Sequence, residues 1–237
     1  MKKKLVVLSG AGVSAESGVA TFRDSNGLWE NYNVEDVASI DGWYRNPELV
    51  LRFYNARRAQ LATVKPNAAH YAIAQLEKEW DVTVVTQNVD NLHERAGSTK
   101  IIHLHGELTK VRPVNCYDET DNYSEEKVFD IGYESISIGD LAPNGAQLRP
   151  HIVWFGEAVP YINAAIDAVM EADVLLIVGS SLQVYPAAGL YAFANAETPI
   201  YIIDPADVPL RDGRIKHIKD VATSGMETFK NLIKSKN

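Results

Sequence analysis

Gly10-Ala11-Gly12-Val13-Ser14-Ala15-Glu16-Ser17-Gly18, set directly after the apolar run Leu5-Val6-Val7-Leu8, reads as a buried strand that enters a glycine turn and opens a helix. Gly10 and Gly12 carry no Cβ, so main-chain N–H groups can approach a phosphate closely. Ala15 takes the third place of the G-x-G-x-x-G/A fingerprint, and this alone suggests a dinucleotide site. An ordinary dehydrogenase would run on into a second apolar strand with an acidic end, about 20 residues beyond the glycines. Here the chain turns polar at Glu16-Ser17-Gly18 and continues Thr21-Phe22-Arg23-Asp24-Ser25-Asn26-Gly27. That is loop composition, and a loop with a phenylalanine and an arginine beside a phosphate cradle could close over a cofactor.

Further along, apolar strand-like runs recur at residues 5–8, 82–85, 101–104, 152–155, 174–178 and 200–203. Helical patterns lie between most of them, at 47–64, 66–79, 161–172, 186–196 and 226–234. Alternation of this kind predicts an α/β fold, a Rossmann-like parallel sheet with helices on both faces, whose ligands bind beyond the carboxyl ends of the strands. Polar or glycine residues stand at those ends: Gly10, Thr86-Gln87-Asn88-Val89-Asp90, His105-Gly106, Gly179-Ser180-Ser181 and Asp204. Residues 107–149 break the pattern and read as a small inserted module. The expected division is 1–27 with 66–106 and 150–237 as a discontinuous nucleotide-binding domain, 28–65 as a helical insert, and 107–149 as the module.

Composition removes several classes. The 237 residues, 46% of them apolar, suit one domain with an insert. No apolar run approaches the ~20 residues of a membrane span. Met1-Lys2-Lys3-Lys4 leads into too short an apolar stretch for a signal peptide, so a cytoplasmic protein without a membrane partner is expected. A net charge of −8 argues against nucleic acid as a partner. The single cysteine, Cys116, rules out both a disulfide framework and a cysteine-based zinc site within one chain.

Taken together, the motifs resemble the sirtuins, the NAD-dependent protein deacylases. They are Gly10 to Gly18, Thr21-Phe22-Arg23, Thr86 to Asp90, His103-Leu104-His105-Gly106, Trp154-Phe155-Gly156-Glu157 and Gly179-Ser180-Ser181, in the family's order along nearly the whole chain. Gly27-Leu28-Trp29, Val34 to Val37 and Phe53 to Arg58 are most similar to the bacterial class III branch. His105 is the candidate general base, because histidine takes up a proton near neutral pH. The resemblance implies that nicotinamide leaves and the acyl oxygen attacks the ribose C1′. His105 then helps a ribose hydroxyl attack the resulting imidate, and the acyl group ends on ADP-ribose. It further implies that Asn88 and Asp90 line the nicotinamide pocket and that Gln87 lies near the ribose. Gly179, Ser180 and Ser181 would meet phosphate or ribose, and Arg23 would hold the diphosphate or guard the pocket. Gly10, Ala11, Gly12, Ser14, Glu16, Thr21 and Phe22 complete the expected cofactor set. Asp204 departs from the family's asparagine, yet a carboxylate still accepts from an adenosine ribose hydroxyl. Val221 aligns loosely with an adenine contact. Val153 and Trp154 to Gly156 would pair with an extended acyl-lysine peptide by strand addition. Among the other histidines, His103 is a weaker base candidate, His93 reads as structural, and His70, His151 and His217 have no chemical company in sequence.

Tyr54 and Arg57 stand i, i+3 on a predicted helix and share a face. A phenol beside a guanidinium fork can hold a carboxylate, and in class III sirtuins this pair implies succinyl, malonyl or glutaryl lysine. The expected activity is therefore desuccinylation and demalonylation alongside deacetylation. The alternatives are a protein mono-ADP-ribosyltransferase or a non-catalytic NAD or ADP-ribose sensor. Most sirtuins hold structural zinc with two C-x-x-C pairs, and this chain departs from that. Cys116 with Asp118, Glu119 and Asp121 is a poor zinc set, so no metal is expected. An apolar cluster of Val114, Tyr117, Tyr123, Val128, Phe129, Ile131, Tyr133 and Ile136 would stabilise the module instead. A monomer is favoured.

Overall fold

A computed structural model of the protein describes residues 2–19, 28–29, 32–114, 127–208 and 212–234. In chain order its elements are β1 (Lys4–Ser9), α1 (Gly12–Ala15), β2 (Leu28–Trp29), β3 (Tyr32–Asn33), α2 (Val34–Val37), α3 (Ile40–Arg45), α4 (Pro47–Thr63), α5 (Ala68–Leu76), β4 (Asp81–Thr86), α6 (Leu92–Ala96), β5 (Ile101–His103), β6 (Gly106–Pro113), β7 (Phe129–Asp130), β8 (Leu148–Ile152), α7 (Ile162–Met170), β9 (Val174–Val178), a 3-10 segment (Ala187–Phe193), β10 (Ile200–Ile203), β11 (Ile215–Ile218) and α8 (Ala222–Lys234).

Six strands form one sheet in the order β11-β10-β9-β1-β4-β5, and every neighbouring pair is parallel. Continuous apolar runs such as Val174–Val178 suit this, since such strands are buried on both faces. From β1 the sheet grows through β4 to β5. It restarts at β9 on the other side of β1, so the topological switch point lies between β1 and β9. One face packs its apolar side chains under α5 and α8, around Ile73, Leu76, Met226 and Phe229. The other packs under α7 and the 3-10 segment, around Ala165, Val169 and Leu190.

Several elements differ from the sequence-based expectation, and three bear on the main sheet. The run at 152–155 is not a strand of the parallel sheet. The strand there is β8, which ends at Ile152 and pairs antiparallel with β6 in a second sheet of order β7-β6-β8. Residues 186–196 contain a 3-10 segment rather than an α-helix. β11 went unread because it is a four-residue edge strand whose central Lys216 and His217 are exposed, so its apolar content is low.

The helical insert and the small module, expected as separate units, share a third core. Val50, Leu51, Phe53, Tyr54 and Leu61 of α4 pack with Leu108 and Val111 of β6, with Ile136, and with Ile152 and Trp154. Within the expected cluster Ile136 is buried, and Val114 and Ile131 pack at its margin. Phe129 and Tyr133 are exposed (36% and 40%), so they do not close it. Tyr117 and Tyr123 lie outside the described residues, as do Cys116, Asp118, Glu119 and Asp121. Buried polar links reinforce the packing. Arg58 Nε donates to the Leu108 carbonyl (2.8 Å) and its Nη1 to Asn55 Oδ1 (2.8 Å), while Asn55 exchanges hydrogen bonds with both backbone groups of Ile136. Burial lowers the Arg58 pKa to about 10, which leaves the guanidinium charged at neutral pH. Among the described residues no helix is long and apolar enough to cross a membrane.

Leu51→Ala, in the third core, should cost about 2–5 kcal/mol of unfolding free energy. EDTA should leave the melting temperature unchanged, because packing and hydrogen bonds couple α4 to the small sheet. A fall of more than about 4 °C, equivalent to roughly 1 kcal/mol for a chain of this size, would contradict that account.

Candidate active site

At the switch point the ends of β1 and β9 touch through bare backbone. Gly10 N donates to the Val178 carbonyl (3.1 Å) and Gly12 N to the Gly179 carbonyl (2.8 Å). Gly179 has a positive φ of 63°, and a Cβ there would lie 2.2 Å from Val13 N. A Cβ on Gly12 would lie 2.7 Å from the Gly179 Cα. These glycines are therefore demanded by each other as much as by any ligand. The helix they open, α1, is a single turn with no side-chain N-cap. Its dipole is small, so the turn offers closely approachable backbone rather than the field of a long helix.

One cavity of about 470 Å³ opens beyond this turn, within the size range of small-molecule sites. Gly10, Ala11, Gly12, Ser14 and Glu16 line it, with Gln87, Asn88, Asp90 and His105 from the ends of β4 and β5. Gly179, Ser180, Ser181, Asp204 and Val221 line it from the β9–β10 side. Tyr54, Arg57, Val153, Trp154, Phe155 and Gly156 line it from the third core. Thr21, Phe22 and Arg23 lie outside the described residues.

His105 follows β5, and its Nδ1 lies 3.1 Å from the Gln87 carbonyl. A carbonyl only accepts, so Nδ1 carries the proton and Nε2 keeps its lone pair. Burial lowers the pKa of His105, and the Gln87 carbonyl only partly opposes this. The ring is thus a neutral imidazole at neutral pH, the form a general base needs. His103 has a different role. Nδ1 meets the Asn88 carbonyl (3.2 Å) and Nε2 meets Glu94 Oε1 (2.6 Å), two acceptors that require protons on both nitrogens. Burial disfavours that charge, yet the Glu94 hydrogen bond and charge, Glu107 and the Asn88 carbonyl outweigh it and raise the pKa. His103 is an imidazolium bracing the Asn88 backbone rather than a base.

Asn88 and Asp90 are joined through Ser14, whose Oγ donates to Asp90 Oδ2 (2.9 Å) and accepts from Asn88 Nδ2 (3.1 Å). Leu92 N holds Asp90 Oδ1 (3.1 Å), so both carboxylate oxygens are fixed. Burial nevertheless raises the Asp90 pKa above the usual carboxylate value. Behind this group His70 Nε2 approaches Ser14 Oγ (3.4 Å), and the His70 ring meets His93 edge-on (4.9 Å). His93 Nε2 lies 2.9 Å from Ser9 Oγ. Sequence reasoning gave His70 no company, yet its Nδ1 meets Asn67 in the cap of α5, and its other partners lie on α1 and α6, remote in the chain. Gln87 Nε2 donates to Ser180 Oγ (3.2 Å), tying two strand ends across the cavity. The Glu16 carboxylate accepts from Thr223 N and Oγ1 in the first turn of α8, where negative charge is favoured.

Trp154 is gripped on several sides. Its backbone N donates to Glu157 Oε2 (2.8 Å), and its ring stacks under the Arg149 guanidinium (3.4 Å). Arg149 and Arg112 both bond to Glu157, whose pKa is lowered because these bonds outweigh burial. Both backbone groups of Phe155 are engaged, N with the Ala38 carbonyl (2.9 Å) and O with Ile40 N (3.3 Å). Val153 N donates to the His105 carbonyl (2.9 Å). A peptide added here would have to use neighbouring groups of the segment, not those of Phe155.

The sequence model of the Sir2 family matches residues 10–186. The chain belongs to the Sir2 family. A relative in Bacteroides thetaiotaomicron, named an NAD-dependent protein deacylase, is 52% identical, with 98% of each chain covered. One of the same name in Helicobacter pylori (strain 26695) is 56% identical over 86% of this chain and 85% of its own. Among solved structures, a Sir2 homolog–NAD complex superposes with a TM-score of 0.84 at 36% identity, covering 99% of this chain and 90% of that one. A Sir2 variant with a deacetylated p53 peptide and 3′-O-acetyl ADP ribose is 29% identical, with a TM-score of 0.79 and coverage of 98% and 94%.

The cavity also holds residues that sequence reasoning passed over, among them Ala38, Gln60, Leu61, Leu108 and Tyr185. Gln60 and Leu61 stand i+3 and i+4 from Arg57, so the face of α4 marked by Tyr54 and Arg57 could have revealed them. Ala38 and Tyr185 gave no signal, because folding alone brings them there. The family's zinc thiolates do not fit a chain with one cysteine. Among the described residues Glu94, His103 and Glu107 place their ligand atoms within 4.8 Å of one another. Glu94 is bonded to His103 and Glu107 to Lys110 (2.7 Å), so the group is satisfied without an ion.

Buried histidines give this Sir2 chain a pH signature. Burial holds the pKa of His70 at about 4, His93 at about 3 and His151 at about 3, against 6.5 for a free ring. Below about pH 6.5 the unfolded chain binds protons on these rings while the folded protein does not, so stability falls as the pH drops toward 4. Each ring adds a slope of up to about 1.4 kcal/mol per pH unit. Urea midpoints should decline steeply from pH 6.5 to 4.5, and His151→Asn should flatten the decline. A midpoint constant across that window would contradict this reading.

Proposed function

We propose that the protein is an NAD-dependent protein-lysine deacylase that removes acidic acyl groups, succinyl and malonyl, as well as acetyl. The observation that carries the reading is the single cavity that joins three chemistries: approachable backbone at Gly10, Ala11 and Gly12, a neutral His105 with Nε2 free to accept, and the Tyr54–Arg57 pair. The relatives' shared name and the peptide in a similar structure support acyl-lysine peptides as substrates.

Bound NAD supplies an electrophilic ribose carbon when nicotinamide leaves, and with it an acceptor for the acyl group. The chain's own residues do the rest. Gly10 to Gly12, with Ser180 and Ser181, hold the phosphates and ribose, and Asp204 accepts from a ribose hydroxyl. Asn88 offers an amide and Asp90 a carboxylate to the carboxamide of nicotinamide, both kept in place by Ser14. His105 Nε2 takes a proton from a ribose hydroxyl, and its Nδ1–H bond to Gln87 fixes the ring for that task. Burial of the apolar wall around Leu108, Ile152 and Trp154 keeps water from the acyl group. Arg57 and Tyr54 receive the carboxylate of an acidic acyl chain.

Matched succinyl-, acetyl- and unmodified-lysine peptides with NAD, followed by mass spectrometry, test the reading. Nicotinamide and acyl-ADP-ribose should form only with an acylated peptide. ADP-ribosylated peptide would instead favour a transferase, and binding of NAD without products a sensor. His105→Ala should lower kcat by about 10² to 10⁴ while NAD still binds. Arg57→Met should reduce desuccinylation far more than deacetylation, and equal losses would remove the acidic-acyl assignment.

A further inference from the structure

Tyr54 sits on α4 and Trp154 on the segment after β8, both buried in the third core and both lining the cavity. The indole Nε1 lies 2.9 Å from the Tyr54 oxygen. An indole nitrogen only donates, so the phenol oxygen is the acceptor in this bond. Among the described residues the Tyr54 hydroxyl makes no second hydrogen bond. Its own hydrogen is therefore available to a group in the cavity, where Arg57 stands one helical turn away.

The donor is held rigidly. Glu157 fixes the Trp154 backbone, Arg149 covers one face of the ring, and Trp43 packs against the indole at 5.5 Å. Free rotation of the indole would let the phenol turn its lone pairs toward a ligand. The clamp prevents this, so Tyr54 presents a donor to whatever enters, beside the Arg57 guanidinium, which can only donate.

We infer that Trp154 is a positioning residue for acyl specificity: its indole N–H occupies the Tyr54 oxygen and makes the phenol a hydrogen-bond donor toward the acyl tail. The inference rests on the acidic-acyl reading of this pocket. A pair that offers only donors matches a carboxylate, which only accepts, and gains little from a methyl group. Without the indole N–H, the phenol oxygen becomes a free acceptor beside the incoming carboxylate, and the distinction weakens.

Kinetics with succinyl- and acetyl-lysine peptides in wild type, W154F, Y54F and the double variant test this. W154F should lower the succinyl-to-acetyl ratio of kcat/KM by about tenfold, the factor for roughly one hydrogen bond, mainly through the KM of the succinyl peptide. In the Y54F background the same change should alter the ratio less than about twofold, because the acceptor is already gone. An equal drop in both backgrounds, or no drop in wild type, overturns the inference. The Trp154 indole N–H resonance, assigned by its loss in W154F, provides a readout independent of turnover. It should move upfield in Y54F, and an unmoved resonance refutes the bond. If Arg57→Met lowers the ratio while W154F leaves it unchanged, this inference alone fails; if Arg57→Met leaves the ratio unchanged, the acidic-acyl reading fails and the inference falls with it.

Discussion

Backbone-to-backbone contact between the turn after β1 and the turn after β9 is the constraint on which the site depends. Gly12 and Gly179 approach so closely that a single methyl on either would strike main chain. This contact needs a sheet whose strand order reverses between those two strands, because only there do two carboxyl-end turns diverge from a common gap. The gap becomes the cavity. Gln87, Asn88, Asp90 and His105 reach it because β4 and β5 lie on one side of β1, and Ser180 and Asp204 because β9 and β10 lie on the other.

Around that gap, burial sets the charge of each ring and carboxyl by what it touches. His105 and His103 are two residues apart in the chain, yet one is neutral and the other an imidazolium. A lone carbonyl faces His105, whereas a carboxylate faces His103. The same principle runs through the third core, where Glu157 gathers two arginines and the Trp154 backbone. A buried carboxylate with two guanidinium partners and a main-chain donor is a fixed point, and Trp154 inherits its rigidity from it.

Much of the parallel sheet was legible, because strands buried on both faces write themselves as unbroken apolar runs, as at Val174–Val178. The same rule reads the apolar run at 152–155 as a parallel strand, whereas the strand there is 148–152 and belongs to the small antiparallel sheet. Its buried residues include Arg149 and His151, whose polarity hides the strand, so the apolar run that follows drew attention instead. β6 escaped notice because Glu107, Lys110 and Arg112 interrupt it, although Arg112 is buried by its bond to Glu157.

From the sequence alone come the candidate residues for the chemistry and the order in which they stand at strand ends. Glycine turns, paired amide and carboxylate, and a histidine beside a glycine are local statements that spacing alone can make. Tertiary structure decided which partners each group meets: Asn88 with Ser14, His103 with Glu94, Tyr54 with Trp154 one hundred residues away. The reason is that hydrogen-bond direction, protonation and rigidity are properties of a pair. Those pairs exist only once α4 and the small sheet have packed into one core and the two halves of the parallel sheet have met at Gly179.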